Sequence, residues 1–263
     1  MCMLTYFPAG KLPDVEALHN GAEFNRDGHG FAIVSGHRII VQRGMDFDTV
    51  VKKFTGLRAT YPDGRALFHS RFGTHGTRRK SNCHPFRVGG DPRTVVAHNG
   101  ILPKVTQPTD GDRRSDTRIA AEEWFSLQSF ADLDSLHTRH RLGQWITRAN
   151  KLVFLTVHPR YQQNAYLINE YAGIWDDGIW YSNDDYIPYS RYRSYLHDDA
   201  PLRDYQPRCE MCLEWSIDPE SRICQTCDCC NDCMEWAQYC QCYLPHPRHD
   251  SDSELVTWKA DQR

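Results

Sequence analysis

The sequence predicts a mixed α+β domain over residues 2–185, followed by a small cysteine-rich module at 208–243. Three observations carry that reading. Strand-like and helix-like stretches alternate through the first part of the chain. Of the 11 cysteines, only Cys2 and Cys83 precede residue 209. Hydrophobic residues make up 40% of the 263 positions and charged residues 25%, enough apolar side chain to build a core and too much for a disordered chain. Between the two parts, residues 186–207 are rich in Tyr, Arg, Asp and Pro without a clear period, and read as a linker or surface strap. Residues 244–263 form a polar tail.

The elements follow in order. Phe31–Val34 and Arg38–Gln42 are β-branched-rich runs around Ser35-Gly36, which predicts a hairpin. Asp48 precedes Val50, Val51, Phe54 and Leu57 at helical spacing, so a helix is expected there with Asp48 as its N-cap. Ala66–Phe72 and Thr94–Ala97 read as short buried strands. From Ser115, the positions of Ile119, Trp124 and Leu127 predict a helix, and Leu133–Ile146 a second. Lys151–Val157, Ala165–Ile168 and Gly178–Tyr181 read as strands.

Charge and hydropathy exclude several classes. Lys+Arg is 31 and Asp+Glu 34, a net charge of −3, which is no signature of nucleic-acid or membrane-surface binding. No apolar run approaches the ~20 residues that cross a bilayer. The start, MCMLTYFPAGK, lacks a basic segment and an uninterrupted apolar stretch, so it does not read as a secretory signal. A cytoplasmic location is expected.

Cys2 follows the initiator Met. Removal of Met1 would place a thiol and a free α-amino group on one residue. An amine has a reference pKa near ~7.7–8.0 and a thiol near ~8.5, so the amine can act as general base for its own side chain. The motifs NRDGHGFA (Asn25–Ala32), HSRFGTHG (His69–Gly76), NCHPF (Asn82–Phe86), VVAHNGIL (Val95–Leu102) and SDT (Ser115–Thr117) follow in that order.

This combination resembles the class II glutamine amidotransferases, the N-terminal-nucleophile glutaminases, over about residues 2 to 185. The resemblance implies a four-layer αββα sandwich of the N-terminal nucleophile hydrolase type, with no cofactor for the glutaminase chemistry. It implies that Cys2 is the nucleophile and that Asn99 and Gly100 form the oxyanion hole. It also implies that Phe72, Thr74 and His75 line the glutamine pocket. Arg71 would meet the α-carboxylate with its planar fork, and Asp116 the α-ammonium. Residues 73–82 would be a lid that excludes water.

Plainer readings exist for each residue. Arg71 also suits a surface strand. His69, His84 and His98 also suit packed, hydrogen-bonded core positions. Asn99-Gly100 is a common hairpin turn, and Asp116 can help cap a helix after Ser115. Met3 stands where many family members have Gly, and Phe72 where some have Trp. No acceptor-substrate domain follows within the sequence.

In the cysteine-rich module, Cys209, Cys212, Cys224 and Cys227 form C-x2-C-x11-C-x2-C, a spacing that suits tetrahedral zinc. Cys230, Cys233, Cys240 and Cys242 form a possible second site, and an iron–sulfur cluster is the rival to zinc in the module, because it also takes four thiolates. Metal would supply folding energy that so short a segment cannot obtain from a core. Its acidic balance, from Glu210 to Glu235, argues against phosphate contact and for capping or protein docking.

The expected function is hydrolysis of L-glutamine to glutamate and ammonia, with ammonia supplied to a separately encoded acceptor enzyme. Two alternatives are hydrolysis of another γ-glutamyl amide and a catalytically silent scaffold carrying a zinc module. Neither membrane nor direct nucleic-acid binding is expected.

Overall fold

Five consecutive buried residues form β1, Met3–Phe7. In the computed structural model, which describes residues 2–188, 217–218, 222–225 and 230, this strand lies inside a sheet. Its neighbours are β4 (Ala66–Ser70) and β10 (Ile179–Tyr181), both antiparallel to it. β2 (His29–Ser35) joins β4 to β3 (Arg38–Gly44), and β9 (Ile174–Asp176) forms the other edge. The six strands run β3-β2-β4-β1-β10-β9. A second antiparallel sheet orders β5 (Phe86–Val88), β6 (Asp91–Asn99), β7 (Lys151–Thr156) and β8 (Ala165–Ile168) as they occur in sequence. The helices are α1 (Val15–Phe24), α2 (Phe47–Thr60), α3 (Asp116–Ile119) and α4 (Leu136–Ile146).

Alternation along the strands sorts the side chains into three cores. Met3, Phe7, Phe31 and Phe68 pack with Leu18 of α1 and Val50 and Phe54 of α2. Leu4, Ala32, Leu67 and Trp180 point the other way, onto Val95, Ala97, Val153 and Leu155 of the second sheet. That sheet's far face, Val96, Leu152 and Phe154, packs with Phe125, Leu142 and Ile146. The layers therefore run helix, sheet, sheet, helix. Each fully buried Leu or Phe contributes about 1.5–3 kcal/mol relative to exposure.

At the C-terminal end of β1, Arg58 of α2 is fully buried. Its guanidinium donates to the carbonyls of Tyr61 (2.7 Å), Pro62 (3.0 Å), Gly64 (2.7 Å), Pro8 (3.1 Å) and Lys11 (2.6 Å). This one side chain ties the loop after β1 to the loop before β4.

Several expectations need correction. The N-cap of α2 is Asp46, whose side chain accepts from Thr49 N–H at 2.8 Å, and Asp48 lies in the first turn. The helix expected from Ser115 through Leu127 is four α-helical residues followed by a π-helical turn, Ala120–Trp124. Leu127 is 45% exposed rather than part of the apolar face. The second helix begins at Leu136, because Ser135 caps it, and Leu133 is buried outside it. Asn99-Gly100 is not a hairpin turn, since Asn99 ends β6 and the chain leaves the sheet there. The strand from Ala66 stops at Ser70. β1 and α1 were not expected at all.

The chain divides into two compact units, Met1–Asp199 and Ala200–Arg263. In the second, Ile217 bridges Cys224 and Ile223 bridges Cys230, both antiparallel, with Ile217, Cys224 and Cys230 buried. Cys209, Cys212, Cys227, Cys233, Cys240, Cys242, most of the 186–207 segment and the 244–263 tail lie outside the described residues. Among the described residues, no group of three or more His, Cys, Asp or Glu is arranged to hold a metal ion, and no helix is long and apolar enough to cross a membrane.

Candidate active site

The register Met3↔Ser70 sets Cys2 beside the residues that follow β4. Cys2 shares the side of the strand that carries Leu4 and Tyr6, the side facing the second sheet. Its Sγ donates to Phe72 O at 3.4 Å and accepts from Phe72 N–H at 3.3 Å. Burial pushes the thiol pKa up to about 11, and the Phe72 N–H and the Arg71 guanidinium only partly oppose this. At neutral pH the thiol is protonated, so nucleophilic attack requires a base.

Arg71 is buried. Its main chain is held by the segment before β2: Arg71 N–H donates to Gly28 O, and Asp27 N–H donates to Arg71 O, both at 2.8 Å. Its guanidinium donates to His75 O at 2.6 Å and Thr77 O at 3.3 Å. The 72–82 loop thus folds back over the arginine. Asp27 secures the same loop, accepting from Gly73 N–H at 2.7 Å and pairing with Arg78 at 3.0 Å. At the loop's far end, Asn82 donates to Arg113 O at 2.7 Å and accepts from Ser115 N–H at 3.1 Å.

Asp116 is buried at the start of α3, behind the Ser115 N-cap. One carboxylate oxygen accepts from Leu102 N–H at 3.0 Å and the other from Thr117 N–H at 2.8 Å. Gly100 follows β6 with φ 131°. Glycine is required there twice over: L-residues avoid that conformation, and a Cβ would stand 2.1 Å from Asn150 Oδ1.

Three histidines underlie the site. His84 Nδ1 is 2.6 Å from His69 Nε2, which is 2.9 Å from His98 O. His98 bonds Thr117 Oγ1 and Asn150 Oδ1, each at 2.9 Å. Burial lowers the pKa of all three, that of His69 to about 3, so they are neutral at pH 7. They are the packed, hydrogen-bonded histidines that the sequence also allowed.

One half-open cleft brings together Cys2, Arg71, Phe72, Thr74, His75, Gly100 and Asp116, with His84, His98, Ser115 and Thr117. It encloses about 250 Å³, including space open to solvent. Asn99 does not line it. The Asn99 amide turns instead to Ser182, with Nδ2 and Oγ 2.6 Å apart. Ser182 and Asn183 carry no recognisable motif and were not singled out from sequence. Asn183 donates to Cys2 O at 3.1 Å, so this pair touches both the thiol residue and Asn99.

No family model and no curated protein matches the chain. The solved structures similar to it include glutamine phosphoribosylpyrophosphate (PRPP) amidotransferase from B. subtilis complexed with ADP and GMP, and a structure described as the allosteric regulatory enzyme of purine biosynthesis. Each has a TM-score of 0.44 and 16% identity, over 69% of this chain and 41% of the other. The chain therefore spans about two fifths of the length of those structures. A likeness at that score assigns neither a family nor an activity.

Proposed function

We propose that the chain is the glutaminase component of a glutamine amidotransferase, with a fold of the N-terminal nucleophile hydrolase type. The observation that carries this reading is the convergence of Cys2, Arg71, Gly100 and Asp116, distant in sequence, on one cleft. A thiol, a guanidinium and a carboxylate around one backbone N–H suit a free amino acid that carries a side-chain amide.

In this reading Arg71 exchanges its bonds to the His75 and Thr77 carbonyls for the substrate α-carboxylate, and the 72–82 loop shifts to admit it. Asp116 takes the α-ammonium. Cys2 Sγ attacks the amide carbon and passes its proton to the Cys2 α-amine. That step requires removal of Met1, because with Met1 attached the Cys2 nitrogen is an amide and accepts no proton. Gly100 N–H and the Asn99 amide stabilise the oxyanion, and one such donor is worth about 2.7–4 kcal/mol of barrier. The proton then goes to the leaving nitrogen, and ammonia departs toward a separate acceptor enzyme. Water hydrolyses the thioester to glutamate, with the amine again as base.

A glutaminase assay combined with intact mass tests this. Turnover by protein lacking Met1 is expected. Protein that lacks Met1 and releases no ammonia would refute it.

For the cysteine-rich module we propose one structural zinc on Cys209, Cys212, Cys224 and Cys227, from spacing alone. Elemental analysis should find zinc in the full chain. Deletion from residue 208 should remove it and keep basal turnover. A truncation that retains its zinc would refute the assignment.

A further inference from the structure

Ser182 follows β10 and is fully buried. Its Oγ accepts from Leu4 N–H at 2.9 Å, and its own N–H donates to Leu4 O at 2.8 Å, so it is pinned to the strand that begins after Cys2. The same Oγ faces the Asn99 side-chain amide at 2.6 Å, with Nδ2 toward it. Asn99 Oδ1 is buried and has no hydrogen-bond partner.

Two features count against that amide polarity. With Leu4 N–H and Asn99 Nδ2 both donating into Oγ, no hydrogen bond among the described residues takes the Ser182 proton. The separation is short for an N–H···O bond, which centres near ~2.9–3.0 Å, and closer to O–H···O, which centres near ~2.7–2.8 Å. An amide turned by half a revolution removes both difficulties and places the NH2 where the partnerless oxygen stood.

We propose that Ser182 is a positioning residue for Asn99: its hydroxyl donates into Oδ1 and thereby turns the amide NH2 away from Ser182, free to donate when substrate binding opens the site beside Gly100. Leu4 N–H supplies the hydrogen bond that Ser182 Oγ accepts, so the hydroxyl proton is directed at Asn99. The NH2 group takes the buried position that otherwise holds a partnerless oxygen, on the residue preceding Gly100. With the opposite polarity the amide would commit an N–H to Ser182 and present a carbonyl on its other side, which cannot donate to an oxyanion. The catalytic consequence rests on the glutaminase reading, whereas the amide orientation does not.

Two measurements separate these. Neutron diffraction from deuterated crystals of the full chain distinguishes amide nitrogen from oxygen and shows the deuterons. A deuteron on Ser182 Oγ aimed at Asn99 Oδ1 is expected, and Nδ2 facing Ser182 would overturn the proposal. In glutaminase assays, Ser182→Ala should lower kcat about 10- to 100-fold, the usual loss for an orienting partner, with KM changed less than about twofold. In an Asn99→Ala background the same substitution should change kcat less than about twofold, since its effect runs through Asn99. Equal losses in both backgrounds, or a loss confined to KM, would overturn it. If the wild type lacked glutaminase activity, the proposed function would fail, and the neutron map would still decide the orientation.

Discussion

Arg58 and Arg71 lie at opposite ends of the β1–β4 strand pair, and both are buried. Arg58 spends two terminal nitrogens on five carbonyls, drawn from the loops after β1 and before β4. Arg71 bonds two carbonyls of one loop, and its other side faces a cleft shared with Cys2 and Asp116. Burial alone therefore does not mark a functional arginine. What separates the two is whether the partners can leave. Arg58's acceptors are fixed by the strands on either side. Arg71's belong to an exposed loop that can yield them to a carboxylate.

The largest effect should come from the nucleophile at the Arg71 end. Cys2→Ala should reduce glutamine hydrolysis by about 10⁴-fold or more without unfolding the protein. The electrophile 6-diazo-5-oxonorleucine should label Cys2. Label on Cys83 instead, or an active Cys2→Ala protein, would remove the chemistry from that end.

Replacing each arginine by lysine tests the comparison directly. Arg71→Lys should raise KM for glutamine about 100-fold, through loss of a forked contact to the substrate carboxylate, with little change in Tm. Arg58→Lys should leave KM unchanged and cost about 2–5 kcal/mol in denaturant unfolding, since three donors cannot satisfy five buried carbonyls. Exchanged phenotypes would invert the comparison.

Acid should strike the cleft end selectively. Burial lowers the pKa of His29 to about 4 and of His69 to about 3, and lowers those of His84 and His98. The unfolded chain then binds more protons below about pH 6.5, so stability is complete above that pH and lost as pH falls toward 4. Between its folded and unfolded pKa, each of His29 and His69 contributes a slope of about 1.4 kcal/mol per pH unit, and His84 and His98 act in the same direction. Unfolding titrations should show this slope unaltered in Arg58→Lys. Constant stability between pH 6.5 and 4.5 would mean that the histidines are charged in the fold.

The smallest effect concerns the loop. Arg78 pairs with Asp27 at 3.0 Å but its side chain is 71% exposed, so the pair is worth at most about 1 kcal/mol. Arg78→Ala should change KM less than about fivefold, and added salt should shrink the difference further. A larger change would mean that the loop is held mainly by this pair rather than by Arg71.

The sequence was most legible where chemistry and geometry share a local pattern. The Ala165–Ile168 strand lies where it was expected, and the β2–β3 hairpin does too, with its turn one residue later than expected, at Gly36-His37, because Ser35 pairs with Arg38. The residues quoted for the site, Cys2 and members of three separate motifs, line one cleft, with Asn99 the exception. β1 was missed because MLTYF is buried on both faces and so shows no alternation, and it lacks the β-branched run that marked β2, which is buried likewise. α1 was missed although Asp14 caps it, accepting from Ala17 N–H at 3.0 Å, because its buried face consists largely of small residues, Ala17, Gly21 and Ala22 beside Leu18. Asp46 and Asp48 both precede the same apolar stripe, and only the three-dimensional turn selects the cap. Ser182 and Asn183 were illegible for a different reason. Their role comes from β10 pairing with β1, a contact that no local window contains.

That last pairing also sets a timetable. Leu4 and Ser182 are hydrogen-bonded across 178 positions of sequence. At a translation rate of about 5–20 residues per second, roughly 10 to 35 seconds separate their emergence from the ribosome. Only after that can β10 take its place and close the sheet over the first strand. Once it has, Cys2 is 9% exposed, so the residue on the far side of the bond to be cut is buried against an aminopeptidase. The Met1 excision that the proposed function requires is therefore a race between processing and folding. Protein refolded with Met1 still attached would be locked in the unprocessed form, with its thiol in place and no amine to activate it.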